Sequence, residues 1–210
     1  MKLSECRRCD LHLKRHKVVV GRGNSNHPAI IFIGEAPGEE EDKSGLPFVG
    51  RAGEILNKAI TFLGISKEDW FVTNIVKCRP TDESGYNRPP TDKEKIKCEV
   101  WLTRQIAKME PRILIPLGNH ATQFLLEGHD KRKGITELAG RPYKIGDLIV
   151  FPLLHPASIL HQNALKSQWE SDLLKLRQFL EKKHLVKLKN EQASLKDWLV
   201  TADNTNEDGW

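Results

Sequence analysis

The strongest constraint on this chain is an alternation. Four short apolar runs, at residues 29–33, 70–76, 113–117 and 148–154, alternate with segments whose apolar residues recur at helical spacing. The first run ends abruptly at Gly34 and the second is rich in aromatic and β-branched residues, so the runs read as buried strands. Between them, Arg51–Leu63 sets Ala52, Ile55, Leu56, Ala59 and Ile60 on one face and stops at Gly64. Thr91, followed three residues later by Glu94, is a capping-box pattern opening a helix that Pro111 ends. Gly118-Asn119 leads into a short helix reaching Leu126, and a long helix of mixed charge is expected over 164–184. Strands that alternate with helices build a parallel sheet covered on both faces.

In such sheets, sites form at the carboxyl ends of strands. Three unusual stretches fall there: residues 34–38 after the first strand, 74–78 at the second, and His155-Pro156 after the fourth. That convergence is the first sign of function.

The first stretch, GEAPG, is not a phosphate loop, because it lacks both G-x-G-x-x-G spacing and a following G-K-S/T. Pro37 has no N–H to give to a ring of phosphate-binding amides. Gly34 and Gly38 instead allow a sharp turn and the close approach of a flat ligand. Glu39, Glu40, Glu41 and Asp42 suit a solvated first helical turn, with at least one acid free to face a pocket. Phe48 would ordinarily be a core aromatic, but it stands among loop formers, which opens the reading of a stacking platform. His155, at a sheet end beside Pro156, favours a functional role over a strand-end cap.

Cys6 and Cys9 form a C-x-x-C, and Cys78 and Cys98 complete the set of four cysteines. Four thiolates suit zinc or an iron–sulfur cluster, and spacing does not choose, with zinc the first reading. Either would act as a clip tying the N-terminal arm to the loop after Cys78.

At 210 residues the chain is one domain with a tail: a body at 1–185 and a polar, acidic-ended stretch at 186–210, with a weak helix near 193–200. Asp203, Glu207 and Asp208 give the last ten residues −3, which leaves +8 on residues 1–200 of the net +5. A basic body permits a polyanionic partner. There are no internal repeats, no apolar run of roughly 18 residues and no apolar leader in MKLSECRRCD, so a cytoplasmic protein without disulfides is expected.

The motifs together resemble the family 4 uracil-DNA glycosylases, the iron–sulfur branch of their superfamily. The likeness runs from about Cys6 to about Arg177 and rests on C-x-x-C, GEAPGEEED, PFVGRAG, TNIVKCRP, a later Cys and HPAS. It implies a three-layer α/β/α sandwich around a four-stranded, mainly parallel sheet. It implies a 4Fe-4S cluster on Cys6, Cys9, Cys78 and Cys98, which displaces zinc. It also implies hydrolysis of the N-glycosidic bond of uracil in DNA, by a monomer acting on single- or double-stranded substrate. No residue argues for a sliding clamp or another repair partner.

The resemblance assigns roles. Phe48 stacks on the extruded uracil, and Asn74 reads its Watson–Crick edge, donating to O4 and accepting from N3–H. Gly34, Glu35 and Ala36 line the pocket with backbone, and Glu35 braces Asn74. His155 donates to O2, where charge develops as the bond breaks. In family 1 the corresponding motif resembles G-Q-D-P-Y, whose Asp serves water. Here that place is Ala36, so Glu41 and Asn87 become the candidates for placing water.

Two features depart from the pattern. The segment RPTDESGYNRPP, residues 79–90, is longer than expected, and His161 stands where the family usually has an arginine. Relatives that trap uracil-DNA covalently carry a basic insertion ending in a histidine, which this segment lacks. A metal-clipped DNA-binding module without catalysis is the other reading, and it would be expected to lose Asn74 and His155.

Overall fold

The computed structural model describes residues 2–126 and 133–188; for His161 and Asn163 it describes the backbone only. The helix expected near 193–200 lies outside the described residues. The elements in order are β1 (Arg22–Gly23), β2 (Ile30–Gly34), α1 (Glu39–Ser44), α2 (Arg51–Leu63), β3 (Trp70–Asn74), α3 (Asp92–Met109), β4 (Ile113–Pro116), α4 (Asn119–Leu125), α5 (Ile135–Leu138), β5 (Tyr143–Ile145), β6 (Leu148–Val150), α6 (Ser158–His161) and α7 (Asn163–Lys182).

The sheet has six strands in the order β1-β3-β2-β4-β6-β5, not four. The four runs seen in the sequence form its parallel centre, β3-β2-β4-β6. The two additions are antiparallel edges, β1 on β3 and β5 on β6. Three strands also end sooner than expected, β3 at Asn74, β4 at Pro116 and β6 at Val150, though Leu117 still bridges Leu153 beyond the last two.

Successive residues of β2 face opposite ways and seed two cores. Ile30 and Phe32 pack with Leu56, Ala59, Ile60 and Leu63 of α2 and with Trp169, Leu173, Leu176 and Leu180 of α7. Ile31 and Ile33 pack with Trp101 and Leu102 of α3, Ala121 of α4 and the cysteines. Helices therefore cover both faces of the sheet. Val186 and Leu188 still pack on the first core, so the body's contacts run past residue 185. The capping box on α3 is formed: Glu94 N donates to Thr91 Oγ1 and Thr91 N to Glu94 Oε2. Among the described residues, no helix is long and apolar enough to cross a membrane.

Candidate active site and cysteine cluster

Gly34 and Asn74 end adjacent parallel strands and sit side by side in register. A Cβ on Gly34 would strike the Asn74 side-chain oxygen and lie 2.7 Å from Phe48 Cζ. Only glycine lets all three groups converge there. Asn74 is 2 % exposed, and Phe48 is buried. Phe48 takes φ 55, a left-handed conformation rare for a non-glycine residue and one that surrounding contacts must enforce.

The enforcing group is Glu41. Its Oε1 accepts from Val49 N (2.9 Å) and Gly50 N (3.2 Å), and its Oε2 accepts from Gly38 N (3.1 Å). One carboxylate thus ties the GEAPG turn to the loop that carries Phe48. Three backbone amides take up most of the acceptor capacity of Glu41, which fastens the loop.

His155 stacks against Phe48, with ring centroids 5.9 Å apart and an interplanar angle of 29°. Gly118, at φ +86, makes room for it, since a Cβ there would stand 2.9 Å from His155 Cβ. Ala157 N donates to His155 Nδ1 at 3.1 Å, so Nδ1 is an acceptor and the ring proton sits on Nε2. Burial lowers the His155 pKa to about 4, against a smaller opposing pull from Glu41. At neutral pH this is an uncharged imidazole with an Nε2–H donor.

Glu35 does not brace Asn74: among the described residues no hydrogen bond joins them. Its carboxylate faces His120 Nε2 at 3.8 Å, and its Oε1 is buried without a partner. Burial raises its pKa, and His120 pulls it partly back. Gly34 O and Glu35 O accept from Ile75 N and Val76 N at 2.9 and 3.0 Å, extending the strand pairing past the ends of β2 and β3. Ala36 packs against the second core. Asn87 accepts from Arg79 Nε at 2.6 Å, and its Nδ2 lies 3.7 Å from where a Cβ on Gly38 would sit.

Lys77 is a functional candidate that sequence reasoning missed. It is fully buried, and its Nζ donates to Asn74 O (2.7 Å), Thr73 Oγ1 (2.6 Å) and Gln105 Oε1 (2.6 Å). Burial lowers its pKa to about 7. The available signal was a lysine inside the apolar run IVKC, where a charge needs dedicated partners.

All four cysteines line one small cavity with Arg15, Lys77 and Trp101. Cys6, Cys78 and Cys98 are buried and Cys9 half-buried. Each sulfur faces a donor: Trp101 Nε1 to Cys6 (3.1 Å), Arg15 Nη1 to Cys78 (3.2 Å), Lys77 N to Cys98 (3.3 Å), and the Leu11 amide to Cys9. Burial pushes the Cys78 thiol up to about 11 and raises Cys9 and Cys98. Among the described residues no group of three or more His, Cys, Asp or Glu could hold a metal ion. The donor set is nonetheless the soft, all-thiol kind that suits a thiolate-bound metal group: four cysteines around one cavity, each facing an N–H donor.

A family model described as the uracil DNA glycosylase superfamily matches residues 20–176. The type-4 uracil-DNA glycosylase of Saccharolobus solfataricus is 40% identical over 188 residues, covering 87% of this chain and 85% of that protein. That of Thermotoga maritima is 40% identical over 184 residues, covering 86% and 92%. That of Archaeoglobus fulgidus is 37% identical over 186 residues, covering 86% and 91%. With a mixed sheet whose parallel centre gathers Gly34, Phe48, Asn74 and His155 at its carboxyl end, this chain belongs to the uracil-DNA glycosylase superfamily, in its type-4 branch.

Proposed function

We propose that the protein removes uracil from DNA by hydrolysing the N-glycosidic bond, the opening step of base-excision repair. The observation that carries this reading is the grouping of Phe48, Asn74 and an Nε2-protonated His155 around Gly34.

Uracil must leave the base stack to be cut. Phe48 offers the extruded ring a face. The Asn74 amide matches uracil, donating to O4 and accepting from N3–H, whereas cytosine inverts both groups. Lys77 fixes the Asn74 carbonyl and so the backbone from which that amide projects. As the bond breaks, negative charge moves onto the departing base. The neutral His155 donates to O2 and stabilises that charge without having to lose a proton first. Water is served by Glu35, whose Oε1 accepts no hydrogen bond among the described residues and lies 3.8 Å from His120 Nε2. Asn87 supports the turn from outside.

The cysteines hold a 4Fe-4S cluster, which supplies a structural tie rather than reaction chemistry. Cys6, Cys9, Cys78 and Cys98 are its ligands, and the four N–H donors stabilise their thiolates. Its place supports that role: it joins the N-terminal arm to β3 and α3. Asp42 secures the same arm, accepting from His16 N and His16 Nδ1.

The test is direct. A uracil-containing oligonucleotide is incubated with the protein and abasic sites are cleaved with alkali. Strand cuts at uracil, and none at a matched cytosine, are expected. Tight DNA binding without cuts would instead favour the non-catalytic module.

A further inference from the structure

Apart from Asn87, the long segment at 79–90 has no task in the chemistry above, yet it is carefully built. Thr81 and Asn87 pair across it, and Gly85 turns it at φ +85. Asp82 N donates to Tyr86 O, and Tyr86 N to Asp82 Oδ1, each at 2.9 Å. Arg79 fastens this hairpin to the pocket rim. Its Nη2 reaches Gly85 O (3.3 Å) and Glu39 Oε2 (3.2 Å), while its Nε holds Asn87, whose amide lies over Gly38.

Tyr86 rides on that frame with both backbone groups bonded and with 73% of its surface exposed. A large ring held in water by a braced hairpin gains nothing for the fold. Its position beside the GEAPG turn is what distinguishes it from a stray surface aromatic.

We infer that Tyr86 is a stacking platform for the nucleobase next to the extruded uracil, an assignment that rests on the excision reading. A uracil seated on Phe48 brings its neighbours in the strand to the rim. Extrusion also strips those neighbours of a stacking partner. An aromatic face supplies one, whatever the sequence, because every base has a π-face. Asp82 and Glu83 flank Tyr86, while Lys14, Arg79 and Arg88 bind backbone oxygens of the same hairpin, so the salt dependence of binding is what separates a base contact from a phosphate contact.

Binding and single-turnover excision are compared for wild type, Tyr86→Ala and Tyr86→Phe on a single-stranded uracil oligonucleotide. Parallel substrates carry an abasic spacer in place of the 5′ or the 3′ neighbour. Tyr86→Ala should bind about 5- to 150-fold more weakly, and Tyr86→Phe about as well as wild type. The alanine defect should vanish on one of the two spacer substrates, and the salt dependence of binding should stay as it was. Wild-type binding by Tyr86→Ala, a defect indifferent to both spacers, or a shallower salt dependence would overturn the inference. Wild-type protein that cuts no uracil DNA would sink the excision reading and this inference with it. Cutting with an unimpaired Tyr86→Ala sinks the inference alone.

Discussion

The state of His155 makes a prediction that runs against the habit of treating an active-site histidine as a switch near neutrality. Its Nδ1 takes the Ala157 amide, its ring lies on Phe48, and burial lowers its pKa to about 4. The donor on Nε2 is therefore unchanged through the range in which an ordinary histidine titrates, near 6.5. Single-turnover excision should show no His155 titration from mildly alkaline pH down to about pH 5. His155→Ala should cost about 10²–10³-fold at every pH in that range. Stability should respond instead. Below about pH 6.5 the unfolded chain protonates this histidine while the folded protein does not, so stability falls as pH falls and the loss is complete near pH 4. At about 1.4 kcal/mol per pH unit, that window is worth roughly 3 kcal/mol. Urea unfolding of wild type and His155→Gln, measured in steps from neutral pH to about pH 4, isolates it. The wild type should lose up to about 3 kcal/mol more than the variant. An excision limb near pH 6.5 that disappears in the variant would refute the neutral-donor assignment, as would parallel stability curves.

Three further outcomes follow from the site. Asn74→Asp replaces the donor to uracil O4 with an oxygen, and an unpaired buried polar group costs about 1–3 kcal/mol, so uracil excision should fall roughly 5- to 150-fold with at most a trace of cytosine excision; unchanged uracil rates would remove Asn74 from the reading role. Glu41→Ala frees the loop that holds Phe48 and should slow excision by about 10²-fold, but the double variant with Phe48→Ala should be no worse than Phe48→Ala alone; additive losses would return a water-placing role to Glu41. The purified protein should be brown with about four irons per chain, and Cys98→Ser should lower its soluble yield more than the specific activity of what folds; a stable but inactive variant would give the cluster a part in the chemistry.

How much of this was legible in the sequence follows from what each signal depends on. The four parallel strands were readable because a strand covered on both faces must be nearly all apolar, as Ile30–Gly34 is. The edges β1 and β5 were not. One is two residues long, and Lys144 and Ile145 of the other are exposed, so neither needs an apolar run. Phe48 and His155 stood out because each interrupts its surroundings in a loop or at a strand end, whereas Asn74 was singled out by the family resemblance. Gly34 was read as room for a flat ligand, and the structure fills that room with Asn74 and Phe48.

The acid run shows where reading stops. Four consecutive acids look alike as letters, but six residues of helix separate them by direction. Glu39 and Glu40 point into solvent, where Lys43 meets both. Glu41 turns back to fasten the Phe48 loop, and Asp42 is 1 % exposed and holds the arm through His16. The solvated-turn expectation is thus met by two of the four. For the others, the outcome turns on what lies opposite: amides at 38, 49 and 50 for one, and an arm twenty-six positions away for the other. Lys77 has the same character. Composition counts it as surface charge, whereas its hydrogen bonds to Thr73, Asn74 and Gln105 make it the support of Asn74, the residue proposed to read the base. Local pattern fixed where these side chains start. Long-range packing decided what they hold, and in this site Glu41 and Lys77 hold the residues proposed to meet the base.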